Sequence, residues 1–159
     1  MKLGTILVPL DGSPLAEAAL PKALELAEVS GARVLLLRAA ETHTLLPRVD
    51  PTEAQVKVVS EAESYLARVR KRLTRQGRVT VETAVWYGPA ARAIVEAARI
   101  RKVDQIVMTT HGRSGVRRLL LGSVAESVLR GTTTPLLLLR TEGAAVQTPS
   151  GEAKPWEGR

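Results

Sequence analysis

Short apolar runs and helical repeats alternate from residue 5 to residue 140, and nowhere do two apolar runs meet across a hairpin turn. TILVPL (5–10) leads into DGSP, where Ser13 can cap a helix and Pro14 suits its first position. LAEAALPKALELAEVSG (15–31) keeps helical spacing and stops at Gly31, with a kink expected at Pro21. ARVLLLRAA (32–40) follows as a fully apolar strand, and ETHTLLPRVDPT (41–52), with two prolines and no period, as an exposed loop of the kind that forms lids. The longest helix is expected over 53–77, ending at Gly77; an alternating strand over 79–88; a helix from Pro89 at its first position; a strand over 104–110; a helix over 121–132; and a fifth strand over 134–140. Crossovers of this length imply parallel strands joined right-handedly. The class is a doubly wound α/β domain, one sheet with helices on both faces. The last stretch, 142–159, has no period and is rich in Gly, Pro and small residues, so a disordered tail is expected after a domain spanning 1–141.

Only 3% of the 159 residues are aromatic while 45% are hydrophobic, so the core has to be built from Leu, Val, Ile and Ala. The absence of cysteine removes disulfides, thiolate metal sites and cysteine nucleophiles together. The N-terminal apolar run is closed by Pro9 and Asp11, too early for a signal peptide or a membrane span, and a cytoplasmic protein is expected. The net charge of +7 raises nucleic acid as a partner, yet Arg68, Arg70, Lys71, Arg72, Arg75 and Arg78 fall in one helical stretch that reads as a solvated face without an aromatic stacking platform.

The chemistry concentrates in MTTHGRSGVRRLLLGSVAES (108–127). In an open parallel sheet, ligands bind beyond the carboxyl ends of the strands. The turn after DQIVMTT lies at such an end, where Gly112 and Gly115 leave backbone N–H groups open to an anion and the following helix directs its positive end the same way. A phosphate fits there. Ser123 and Glu126 also match the S-x-x-E capping box, which needs no ligand. Asp11 has two readings as well: a contact for Mg²⁺ in the presence of a nucleotide, or a cap for its own turn. His111 reads as a residue that orients backbone, and His43 has no recognisable partner.

THGRSGVRRLLLGSVAESVLRGTTTPLLLLR, together with ILVPLDGSPLAEAAL near the start, resembles the universal stress protein family in its single-domain form, over about residues 2 to 141. ATP-binding members carry glycine, two residues, glycine, nine residues, then glycine followed by serine or threonine. Here Gly112 is the second glycine, RSGVRRLLL fills the nine positions, and Gly122 and Ser123 close the motif. Thr109 stands at the first position; it is small, and its hydroxyl could itself donate a hydrogen bond to a nucleotide. The resemblance implies that Pro9 and Asp11 line the ribose and phosphate side, that the backbone at Ala39 meets the adenine edge, and that Gly112, Gly122, Ser123 and Val124 hold ribose and phosphates. It implies the strand order 3-2-1-4-5, which sets the first and fourth strands side by side at the switch point. The fifth strand, with the apolar run Pro135 to Arg140, then lies at an edge that pairing with a second copy would cover, giving a homodimer.

Three functions follow. The leading one is a cytoplasmic homodimer that binds ATP, with Mg²⁺ only alongside the nucleotide, and reports stress or energy state to a protein partner not identifiable from sequence. An enzyme reading, slow ATP hydrolysis or phosphotransfer, lacks a Walker lysine motif and an evident base, although Arg113, Arg117 and Arg118 could stabilise charge. A family member without nucleotide, or a basic protein associated with nucleic acid, is the third.

Overall fold

A computed structural model describes residues 3–41, 50–75, 77–111, 121–140 and 150. Five strands appear among them: β1 Thr5–Pro9, β2 Arg33–Ala40, β3 Val81–Tyr87, β4 Gln105–Thr109 and β5 Leu136–Leu139. All pair in parallel, in the order β3-β2-β1-β4-β5. The helices are α1 Pro14–Glu17, α2 Leu20–Ser30, α3 Pro51–Thr74, α4 Ala90–Ile100 and α5 Ser123–Gly131.

Because successive strand residues point to opposite faces, an unbroken apolar strand needs cover on both. Ile6 and Val8 of β1 enter one core with Ala23 and Ala27 of α2 and Leu66 and Val69 of α3. Leu7 enters the other, with Ile94 and Ala97 of α4 and Ala125 and Val128 of α5. The same parity divides β5, whose Leu137 and Leu139 pack on the α2–α3 side and Leu136 and Leu138 on the α4–α5 side, all four only half-buried.

Asp104 fixes the amino ends of the central strands: its carboxylate accepts from Gly4 N at 2.9 Å and Thr5 N at 2.8 Å. At the carboxyl ends, Leu10 N donates to Leu37 O at 2.8 Å, which carries the β1–β2 pairing one residue beyond Pro9. The crevice between the diverging β1 and β4 connections opens on that side.

Several element boundaries differ from expectation. The helix expected over 15–31 with a kink at Pro21 is two helices; α1 ends at Glu17, and Pro21 sits in the first turn of α2, where its missing N–H disturbs no ladder. Ser13 does cap α1, accepting from Ala16 N, with Pro14 leading the helix. Helix α3 begins at Pro51, not residue 53, because Asp50 caps it by accepting from Thr52 N and Glu53 N, which also holds the Asp50 carboxyl below its ordinary range. It ends at Thr74, before Gly77, whose φ is +71°. Pro89 stands at the cap of α4, not its first position. Residues 42–49 of the expected lid, with His43, lie outside the described residues, as does the expected tail apart from Ser150.

Candidate functional site at the β1–β4 crevice

The β1–α1 turn is closed by its own side chains. Asp11 Oδ1 accepts from Ser13 N at 2.8 Å and from Ser13 Oγ at 2.6 Å, and Ser13 Oγ in turn accepts from Ala16 N at 3.1 Å. Gly12 between them has φ +87°, a conformation that side chains oppose. Asp11 therefore performs the capping role, and this fixes the direction of its carboxylate at the crevice.

At the end of β4 a buried polar knot forms from Thr109, Thr110 and His111. Thr109 Oγ1 donates to His111 O at 2.7 Å, and Thr110 Oγ1 lies 3.1 Å from His111 Nδ1. Thr110 N donates to Leu139 O of β5 at 2.9 Å, while Thr110 O accepts from Gly122 N at 2.8 Å. The Thr109 hydroxyl, expected to donate to a ligand, instead satisfies a backbone carbonyl beside it. An unpaired carbonyl buried at that depth would cost more than the ligand bond returns.

Helix α5 has Gly122 as its N-cap and no side-chain cap; Ser123 is the first helical residue. The capping box of Ser123 and Glu126 does not form, because the serine lies one position too far into the helix and Glu126 pairs with Arg130 at 2.8 Å. Among the described residues no cap side chain takes the first amides of α5, and the exposed Ser123 stands at the crevice. Gly122 is required sterically: a Cβ there would stand 2.7 Å from Thr110 O.

These loops enclose a cavity of about 380 Å³, within the range of small-molecule sites. Pro9, Asp11, Ala39, Thr109, Gly122, Ser123 and Val124, scattered along the sequence, all line it. Gly112 lies outside the described residues, as do Gly115, Arg113, Arg117 and Arg118. Leu37, Met108 and Ile94 add an apolar wall, and Val58 and Glu61 of α3 form the opposite one. Sequence reasoning missed that α3 wall, since a helical period says which face is apolar but not which crevice it borders. It also missed Arg38, although an arginine breaking an apolar run at a strand's carboxyl end is a visible signal. Its guanidinium lies 4.8 Å from the centroid of the Tyr65 ring. The Tyr65 hydroxyl donates to Glu17 at 2.8 Å, and Arg72 also pairs with Glu17. Burial, then the Glu17 carboxylate, holds the Tyr65 phenol well above its ordinary range.

No group of three or more His, Asp or Glu that could hold a metal occurs among the described residues. No helix among them is long and apolar enough to cross a membrane. Arg68, Arg70 and Lys71 of α3 and Arg75 at its C-cap are exposed, while Arg78 pairs with Glu28 at 2.9 Å.

Comparison with known proteins agrees with this architecture. The model of the universal stress protein family matches residues 2–140. Universal stress protein MJ0531 of Methanocaldococcus jannaschii is 32% identical over 140 residues, covering 85% of this chain and 81% of that protein. The solved structure of MJ0577, from the same organism, superposes with a TM-score of 0.79 at 28% identity and covers 89% of this chain and 99% of that one. A universal stress protein crystallised in complex with cAMP superposes at 0.68 with 23% identity, covering 87% of this chain and 98% of that one.

Proposed function

The chain belongs to the universal stress protein family, and from that premise we propose that its β1–β4 crevice binds an adenine nucleotide, ATP with Mg²⁺, and that occupancy is the signal the protein passes to its partners. The observation that carries this reading is that seven residues which the family resemblance implies for nucleotide contact line one cavity of suitable size. The amides of α5 and the exposed Ser123 hydroxyl provide donors for phosphate at a helix N-terminus. The apolar wall of Leu37, Ile94 and Met108 offers a slot for a base. The cAMP complex of a family relative supports the ligand class.

Asp11 would meet Mg²⁺ only together with phosphate oxygens and water, because a single carboxylate is its contribution and Ser13 already holds Oδ1. The ion would supply charge neutralisation for the polyphosphate. Within this reading the protein is a binding module, and a homodimer forms through the open edge of β5.

Thermal unfolding with and without Mg-ATP tests the proposal. At about a hundred times Kd the folded state should gain roughly 2.7 kcal/mol. An unchanged melting temperature at millimolar nucleotide would remove it.

A further inference from the structure

We propose that Arg38 holds a phosphoryl group of the bound nucleotide, on the side of the crevice formed by the β1–α1 turn. The inference rests on the nucleotide reading above and assigns one of its contacts to a side chain outside the glycine motif.

Arg38 follows Val34 and Leu36 on the face of β2 that packs toward α3, so an arginine stands where the strand's pattern calls for another aliphatic residue. It lines the crevice and is half-buried. Tyr65, itself buried and tied to Glu17, carries the guanidinium over its ring, with Cζ 4.8 Å from the centroid. On the other side the group packs against Gly12, where a Cβ would meet Arg38 Nη1 at 3.4 Å. The guanidinium is therefore held between Tyr65 and Gly12 at the lip of the crevice.

The contrast with other arginines is informative. Arg33, Arg72, Arg78, Arg99, Arg101 and Arg130 each pair with a glutamate at the surface. Arg38 pairs with no carboxylate among the described residues, although Asp11, Glu41 and Glu61 line the same cavity. It is also the one cation among the described lining residues. A partly desolvated guanidinium with an unpaired fork is costly unless an anion arrives, and its parallel donors match phosphate oxygens.

Calorimetric titration of the full chain with adenosine, AMP and Mg-ATP tests this. In Arg38→Met, which keeps an apolar stem against Tyr65, affinity for AMP and Mg-ATP should fall about tenfold or more, with adenosine within about twofold of the parent. Arg38→Lys, which keeps the charge without the fork, should lie between and carries the test if the methionine variant does not fold. Equal losses for adenosine and AMP, or no loss, would overturn the assignment and leave the nucleotide reading intact. A parent protein that binds none of the three would overturn both.

Discussion

At the residue scale the crevice depends on the absence of one methyl group. Gly122 brings the start of α5 against the end of β4, with its amide on Thr110 O at 2.8 Å and no room for a Cβ, which would meet that same oxygen at 2.7 Å. The obstacle is backbone, so it cannot rotate away. Gly122→Ala is expected to destabilise the fold by about 1–3 kcal/mol, the usual cost of overpacking, and to weaken nucleotide binding by tilting the α5 amides. Chemical denaturation and titration with Mg-ATP check both; a variant as stable as the parent would show that the helix start is not held against β4. The sequence offers Gly122 only as the glycine that closes the motif, implied by resemblance to hold ribose and phosphates; its close approach to Thr110 O comes from the fold. Which atom a glycine admits becomes visible only once the neighbouring strand is in place.

Among the elements, α3 joins the periphery to the crevice. Its Tyr65 is buried, donates to Glu17 of α1 and carries Arg38 on its ring. Because folding raises the Tyr65 phenol, the contact stabilises fully below about pH 10, where the unfolded phenol is still protonated, and this stability is lost as pH climbs from there toward the folded value. The chain has two tyrosines, so Tyr87→Phe isolates Tyr65. Its phenolate absorbance should appear well above pH 10, and adding Glu17→Gln should bring it down. Titration near pH 10 in the single-tyrosine protein would mean that the phenol is not buried against Glu17. The alternation of strands and helices was legible because each apolar run is short and bounded by Pro or Gly. The break between α1 and α2 was legible as the conflict at Pro21, which has no N–H to give the Glu17 carbonyl four residues earlier; its form was not, because Ala18 and Ala19 keep right-handed helical angles across it. Likewise, Ser123 reads as a cap in one dimension, and the Gly122–Thr110 contact moves the helix start by a residue.

For the whole molecule, the outer edge of β5, which pairs with no strand among the described residues, is the feature with consequences for assembly. Ile106 N donates to Pro135 O and Thr110 N to Leu139 O, so odd-numbered residues of β5 turn their backbone groups toward β4. Leu136 and Leu138 present theirs outward, on a half-exposed apolar strand. Leu138→Pro removes an outward N–H without touching the β4 ladder and should convert a dimeric parent to monomer in sedimentation, while leaving the fold intact. A monomeric parent, or a variant that stays dimeric, would exclude this edge as the interface. The strand order has a different consequence for biosynthesis. Ile6 aligns with Gln105, about a hundred residues later, so a chain emerging from the ribosome completes β1, β2 and β3 while the other flank of β1 still lacks its neighbour. A ligand of the crevice would be unable to chaperone those early stages, because the walls that would grip it do not yet exist; it would only lock a nearly finished polypeptide.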